Sequence, residues 1–292
     1  MFTGCGTAIV TPFARDFTID EEALRRLIRR QIEGGIDFLV PCGTTGESPT
    51  LSRAEHLRVV EIAVEESHGK VPVLGGAGGY NTAEVIDLAE ELAHIGVDGI
   101  LSVTPYYNKP TQEGLYQHFK AVHDAVDLPI VIYNIPGRCA VDMSNATMAR
   151  LAKLPNIVGV KDATNDLARP LKMRVEIGAE FTLLSGEDGT AVAYLAQGGD
   201  GVISVTANVA PRLCSEMHEA WQKGDVATVR RINERLIPLH DALFVETSPA
   251  PVKYAASLLG RCTAEVRLPL CQLMPDTKEK VERAMRGAGL IN

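Results

Sequence analysis

Short runs of aliphatic and β-branched residues alternate along the chain with longer amphipathic segments. This alternation is typical of parallel strands joined by crossover helices. On this pattern we predict eight strands, at Thr7–Val10, Phe38–Cys42, Val71–Gly75, Gly99–Thr104, Ile130–Asn134, Ile157–Lys161, Phe181–Ser185 and Gly201–Val205.

The segments between the strands carry the periodicity and the end signals of helices. The first, Glu21–Gly34, has its leucines and isoleucines on one stripe. The second, Arg53–Ser67, begins at a capping box formed by Ser52 and Glu55. Further helices are predicted near Ala83–Ile95, Gln112–Val126, Asn145–Leu154, Leu167–Ile177 and Asp188–Gly198.

Eight strands with alternating helices and no long polar linker predict a single α/β domain folded as a (β/α)8 barrel, also called a TIM barrel. A doubly wound open sheet is the alternative. After Val209 the chain is helical in pattern, with helices predicted at Pro211–Lys223, Val226–Phe244, Ala250–Leu259 and Lys278–Gly287. We therefore expect a barrel over residues 1–223 and a C-terminal helical extension over residues 224–292.

Composition narrows the class of protein and its partners. The 292 residues are 46% hydrophobic and carry a formal net charge of −8, which disfavours nucleic acid and anionic membranes and favours a small-molecule partner. The six cysteines are scattered without metal-ligand spacing, so we expect reduced thiols. With no secretory pattern and no long apolar stretch in this sequence, we expect a cytoplasmic protein.

In a (β/α)8 barrel, chemistry is expected where the strands run into the loops that follow them. Lys161 ends the apolar run 157–160, which places an amine in the barrel mouth. Burial lowers the pKa of an ammonium group, and the neutral amine can attack a ketone to form an imine. The alternative is a structural lysine that pairs with an acid such as Asp162 or reaches outward to solvent.

Other strand ends carry groups that suit the same chemistry. The phenol of Tyr133 can transfer protons, although it can equally be a buried core tyrosine. Thr44 and Thr45 lie in a glycine-bounded loop whose hydroxyl and N–H groups can hold a carboxylate or extend a proton relay. Arg138 offers a planar fork for a carboxylate, or else forms a salt bridge at the rim.

The sequence argues against metal-dependent catalysis and against nucleotide or phosphate binding. All seven histidines fall in or beside predicted helices, so we expect no catalytic metal at the strand ends. No nucleotide-binding glycine motif is present, and the loop after strand 7 carries Glu187 and Asp188 where phosphate-binding barrels bind phosphate. We therefore expect neither a nucleotide cofactor such as flavin mononucleotide nor a phosphorylated substrate.

Three strand-end segments, 43–47 (GTTGE), 133–138 (YNIPGR) and 159–162 (GVKD), resemble the motifs of the 4-hydroxy-tetrahydrodipicolinate synthase (dihydrodipicolinate synthase) family, and the likeness runs essentially end to end. That family belongs to the pyruvate-dependent class I aldolases. The resemblance implies a lyase that condenses pyruvate with L-aspartate 4-semialdehyde, the first committed step of diaminopimelate and lysine biosynthesis.

The resemblance also implies roles for individual residues. Lys161 would form the imine with pyruvate, while Tyr133, Thr44 and Tyr107 would form a proton relay, with Tyr107 contributed by a neighbouring subunit. Thr45 would hold the carboxylate of pyruvate.

Three further residues would complete the site. Arg138 would hold the carboxylate of the semialdehyde. Gly186 and Ile203 would line the site through their backbone carbonyls.

Family members are typically tetramers made of two tight dimers, so the resemblance implies a homo-oligomer of that kind. In lysine-sensitive relatives an allosteric lysine pocket lies at the tight-dimer interface, and four positions match it: Ser48, His56, Glu84 and Tyr106. Pro49, Arg53 and Tyr80 depart from the pattern. An added cation and a bulky ring oppose a cationic ligand, so we predict weak or absent lysine inhibition; a submillimolar inhibition constant would refute this.

Two alternatives stay open at this point. One is a lyase for another 2-keto acid, such as a sialic or keto-deoxy-sugar acid, against which Arg138 argues because its fork suits a short carboxylated aldehyde. The other is a catalytically silent barrel that acts as a metabolite sensor or an assembly module, since a fold alone confers no activity.

Overall fold

The computed structural model describes residues 2–292, in which eight short strands alternate with helices. The strands are β1 (Gly4–Ala8), β2 (Phe38–Val40), β3 (Leu74–Gly76), β4 (Gly99–Val103), β5 (Ile130–Asn134), β6 (Ile157–Asp162), β7 (Thr182–Ser185) and β8 (Gly201–Ser204). Most strand residues are fully buried, as expected of a parallel sheet covered by helices.

Twelve helices lie between and after the strands of the described chain. They are α1 (Glu21–Glu33), α2 (Arg53–Ser67), α3 (Thr82–Ile95), α4 (Gln112–Ala125), α5 (Pro136–Cys139), α6 (Asn145–Leu151), α7 (Arg169–Ile177), α8 (Ala191–Ala196), α9 (Pro211–Gln222), α10 (Val226–Ala242), α11 (Ala250–Leu258) and α12 (Pro275–Gly287). The capping box expected at the start of α2 is present, with Ser52 and Glu55 each accepting from the other's backbone N–H. Short 3-10 turns occupy Ser48–Thr50 and Thr206–Asn208.

The strands form one eight-stranded sheet in the order β2, β1, β8, β7, β6, β5, β4, β3. The pairings from β3 to β8 and between β1 and β2 are parallel. Beyond β2, the backbone N–H of Leu39 donates to the carbonyl of Pro72 at 2.9 Å. This is the topology of a (β/α)8 barrel, and the predicted fold is confirmed.

The described chain divides into two compact units. One contains Phe2, Thr3 and Val73–Ile203, and it carries β3 to β7 and most of β8. The other contains Gly4–Pro72 and Ser204–Asn292. Within this second unit β1 pairs with β2, α1 packs on α2, and α10 packs against α9 and α12. A boundary between barrel and extension at residues 223 and 224 stays a prediction.

Some element boundaries differ from those predicted. The first strand spans Gly4–Ala8 rather than Thr7–Val10. Within this strand, glycine at position 6 makes room for the ring of Phe38, its register partner on β2, since a Cβ there would lie 2.2 Å from that ring. A helical turn at Pro136–Cys139 was not predicted.

Two surveys of residues 2–292 bear on partners. No helix there is long and apolar enough to span a bilayer. Nor does that part of the chain bring together three or more histidine, cysteine or acidic side chains as a metal site would require. All six cysteines are free thiols.

Candidate active site

Tyr133 on β5 and Lys161 on β6 lie side by side near the carboxyl ends of their strands. The two residues are direct partners in the parallel register. Each side chain is only 6% exposed, and Lys161 Nζ lies 4.1 Å from the centre of the Tyr133 ring. The geometry therefore brings a buried amine and a buried phenol into contact.

Both side chains point away from α7. Asn134 directly follows Tyr133, and Asp162 directly follows Lys161; these two residues are also register partners. Their side chains make polar contacts on the helix side of the sheet. Asn134 Nδ2 donates to Asp142 at 2.8 Å, and Asp162 Oδ2 lies 3.6 Å from Arg169 Nε on α7. Because side chains alternate along a strand, Tyr133 and Lys161 face the opposite side.

This alternation decides between two interpretations of Lys161. The Asp162 carboxylate accepts from the backbone N–H of Thr164 at 2.9 Å and is oriented towards Arg169. A structural pair between Lys161 and Asp162 is therefore not supported.

The electrostatic setting of Lys161 makes its amine easier to deprotonate than that of an ordinary lysine. Burial lowers the pKa of its ammonium from the usual 10.5 to about 8. The carboxylates of Asp188 and Glu187 oppose this shift, and the Arg138 guanidinium adds to it. Burial, with the neighbouring Asp188, in turn raises the pKa of Glu187. From sequence, these two acids argue only against a bound phosphate, although their place directly after strand 7 is a signal that they could lie in the site.

Arg138 lies in the single helical turn α5, directly after β5. Proline at the start of the turn and a backbone bond from Arg138 N to Ile135 O, at 3.1 Å, fix its direction. The side chain is exposed and lies close enough to Lys161 and Glu187 to influence the pKa of each. This is a suitable place for a group that meets a charged substrate at the entrance.

A partly buried network supports the loops that follow β5 and β6. The guanidinium of Arg169 donates to Asp142 at 2.8 and 2.9 Å and to the carbonyl of Met143 at 2.6 Å. Asn134 Oδ1 accepts from the N–H of Met143 at 3.1 Å. The ends of the strands that carry Tyr133 and Lys161 are thus fixed from the helix side.

Gly186 directly follows β7, and Ile203 lies on β8. The N–H of Gly186 donates to Asp162 O at 2.7 Å, and a Cβ at position 186 would lie 2.7 Å from that of Ala163. Only glycine fits at position 186 without moving Ala163. Ile203 is 1% exposed within β8.

Thr44 and Thr45 occupy a compact loop after β2, in the second unit. Gly46 N and Glu47 N donate to the carbonyls of Gly43 and Thr44 at 3.0 and 3.1 Å. Thr45 is 6% exposed, while Thr44 is partly exposed. The loop is therefore a tight, hydrogen-bonded turn.

Tyr107 follows β4 and is 84% exposed. Its ring lies 6.3 Å from that of Tyr80, which in turn packs edge-on against Tyr106 at 5.0 Å. A ring so exposed is free to serve a neighbouring subunit, and that role stays a prediction.

The residues of the predicted lysine pocket lie in both units. Ser48 begins a 3-10 turn and His56 is buried in α2. In the other unit, Glu84 lies in the first turn of α3 and Tyr106 follows β4. The departing residues Pro49, Arg53 and Tyr80 are exposed, and weak lysine inhibition stays a prediction.

Chemically, the contact between Lys161 and Tyr133 provides a nucleophilic amine beside a group that can donate or accept a proton. A carbonyl substrate is the natural reactant for this combination.

Comparison with known proteins agrees with this chemistry. Residues 1–288 match the model of the dihydrodipicolinate synthetase family. A curated protein from Rhodospirillum centenum, named 4-hydroxy-tetrahydrodipicolinate synthase, is 60% identical over 291 residues, covering all of both chains. One from Bradyrhizobium diazoefficiens with the same name is 55% identical, covering all of this chain and 98% of its own.

Among solved structures, a chloride-inhibited dihydrodipicolinate synthase from Acinetobacter baumannii complexed with pyruvate is similar over the whole of both chains. The TM-score is 0.97 and the sequence identity is 42%. Together with the match along nearly the whole sequence, this similarity shows that the chain belongs to the dihydrodipicolinate synthetase family.

Proposed function

We propose that the chain catalyses the condensation of pyruvate with L-aspartate 4-semialdehyde to 4-hydroxy-tetrahydrodipicolinate, the activity for which its relatives are named. The observation that carries the proposal is the buried Lys161 amine in contact with the Tyr133 ring, with its pKa lowered to about 8. The A. baumannii relative, complexed with pyruvate, supports the first substrate.

The proposed reaction begins when the neutral Lys161 amine attacks the ketone carbon of pyruvate. The carbinolamine loses water to give an imine, which withdraws electrons so that a methyl proton can leave. The resulting enamine carbon attacks the aldehyde, forming the new carbon–carbon bond, and the aldehyde oxygen takes up a proton. The amino group of the second substrate then displaces Lys161 from the imine carbon and closes the ring.

This chemistry requires neither a metal nor an organic cofactor, because the imine itself is the electron sink.

Proton transfer in this scheme falls to Tyr133, which touches Lys161. We extend the relay to Thr44 and to Tyr107 of a neighbouring subunit because both positions match the family pattern. The high exposure of Tyr107 supports a role outside its own subunit.

Substrate binding is assigned by the charge and shape of the groups. Arg138 holds the carboxylate of the semialdehyde, as its exposed guanidinium beside Glu187 allows. Thr45 holds the carboxylate of pyruvate. The carbonyls of Gly186 and Ile203 line the site, with Gly186 kept free of a side chain by its close approach to Ala163.

We further propose that the chain works as a homotetramer, a dimer of dimers, in the cytoplasm, with neither nucleic acid nor a membrane as partner. The tetramer rests on the family pattern and on the exposed Tyr107 ring.

The competing activity is cleavage of a sugar-derived 2-keto acid such as N-acetylneuraminate. A coupled assay with purified protein distinguishes the two: we expect turnover of pyruvate with aspartate semialdehyde and little cleavage of N-acetylneuraminate. An Arg138→Leu variant is expected to raise KM for the semialdehyde at least about tenfold, since a charge-assisted hydrogen bond is lost. Preferred cleavage of N-acetylneuraminate would contradict the proposal.

A further inference from the structure

A fully buried ion pair lies in the second unit, whereas Lys161 belongs to the first. Lys253 Nζ on α11 lies 2.6 Å from Glu47 Oε1, and both side chains are 0% exposed. Glu47 is the last residue of the 43–47 motif, directly after the loop of Thr44 and Thr45. The proposed chemistry makes no use of either residue.

The surroundings satisfy both groups. Lys253 Nζ lies 4.0 Å from the centre of the Phe13 ring, and the guanidinium of Arg267 lies 4.3 Å from the same ring. The second carboxylate oxygen of Glu47 accepts from the backbone N–H of Arg267 at 3.0 Å. The C-terminal part of the chain thus holds both oxygens of one carboxylate.

The backbone of Glu47 is part of the threonine loop. Its N–H donates to Thr44 O at 3.1 Å, and its carbonyl accepts from the N–H of Thr50 at 3.0 Å. The carbonyl of Thr50 accepts from Arg267 Nη1 at 2.8 Å. Movement of the Glu47 side chain would therefore move the loop.

Glu47 also holds an uncommon backbone conformation, with φ at +55°. A residue other than glycine keeps such a conformation only where its surroundings impose it. Here the Lys253 and Arg267 contacts provide that constraint.

Stability is a poor explanation for the pair. Removing two charges from water is costly, and replacing a buried ion pair by neutral or apolar groups is often harmless to stability. Such a pair can instead fix the positions of the segments that carry it, because each buried charge has its partners in one arrangement only.

We propose that Glu47 and Lys253 are positioning residues that hold the Thr44–Thr45 loop in the geometry that binds the carboxylate of pyruvate. The inference rests on the proposed function, in which Thr45 contacts that carboxylate. It gives the C-terminal helices a part in substrate binding, exerted through one buried carboxylate.

The test uses the full-length protein with the paired substitutions Glu47→Gln and Lys253→Met. This variant buries no net charge, and the amide oxygen of the introduced glutamine can still accept from the N–H of Arg267. Lys278→Met is the matched control, because that lysine lies in the same C-terminal region and its ammonium lies 5.5 Å from the partly exposed ring of Tyr254.

We expect the double variant to fold with a thermal midpoint near that of the wild type. Its KM for pyruvate should rise at least about tenfold, because the charge-assisted contact between Thr45 and the carboxylate of pyruvate is weakened. Its KM for the semialdehyde should change less than about twofold. Lys278→Met should leave both constants unchanged. The single Lys253→Met variant, which leaves a carboxylate buried alone, should unfold more readily than the double variant.

An unchanged KM for pyruvate in the double variant would overturn the proposal, as would an equal rise in both KM values with a lowered midpoint. Borohydride trapping of the double variant at saturating pyruvate separates this outcome from failure of the proposed function. We expect the imine still to form on Lys161, whereas loss of trapping in the wild type would reject the proposed function itself.

Discussion

At the scale of single residues, the proposed imine chemistry depends on how often the Lys161 amine is uncharged. With its pKa lowered to about 8, roughly one-tenth of the amine is neutral at pH 7, against about one part in three thousand for an ordinary lysine. The larger neutral fraction comes from burial, which is the largest cause of the lowered pKa. The carboxylates of Asp188 and Glu187 act in the opposite direction. The same burial excludes water, which would compete for the imine.

This pKa predicts the pH dependence of imine formation. Because the neutral amine is the nucleophile, the rate at low pyruvate should rise about tenfold for each pH unit below pH 8 and level off above it. Rapid-mixing absorbance measurements of imine formation check this. A rate that keeps rising to pH 10 would indicate an ordinary lysine and contradict the account.

A matched control removes one of the carboxylates that raise the pKa of Lys161. An Asp188→Asn variant should move the midpoint of the profile to lower pH, since Asp188 raises the pKa of Lys161. An upward shift would contradict the electrostatic account.

At the scale of elements, local sequence patterns predict the strands and most helices. Lys161 and Tyr133 could be identified because a polar residue at the end of an apolar run is conspicuous. The pair of Glu47 and Lys253 could not, because its members are 206 residues apart and each looks like an ordinary surface charge in sequence. Such a contact depends on tertiary packing, which periodicity does not encode.

Predictions of where elements begin and end also fail, because these positions depend on tertiary packing. Glycine at position 6 of β1 lies against the Phe38 ring of β2, and this contact between two strands is not visible in the local sequence pattern. The turn α5 is only four residues long, too short for a helical period to be detected, although its proline at the start is a usable signal. The sequence therefore predicts the position of Arg138 after strand 5 but not the helical turn that carries it.

At the scale of the whole molecule, the eight alternating units predicted the barrel, but a single sequence says little about which groups act between subunits. In the proposed mechanism the group shared between subunits is Tyr107, whose ring is exposed. If it serves a neighbouring subunit, each active site needs two chains.

Subunit mixing tests this directly. In a hybrid of Lys161→Met and Tyr107→Phe chains, the site with an intact Lys161 receives an intact Tyr107 from its partner. We expect activity after subunit exchange to exceed the sum of the two separate variants several-fold. Activity equal to that sum would show that Tyr107 acts within its own chain.

A mixture of Lys161→Met with Tyr133→Phe is the matched control for that experiment. These two residues are partners within one chain, so each hybrid site keeps a defect. No gain in activity is expected on mixing.

The central claim, that Lys161 forms a covalent imine with a 2-keto acid, is tested most directly by borohydride reduction in the presence of pyruvate, followed by peptide mass spectrometry. The account predicts one reduced pyruvyl group per chain, on the peptide that contains Lys161, and none in a Lys161→Met variant. Absence of the adduct in the wild type, or its persistence in that variant, would contradict the account.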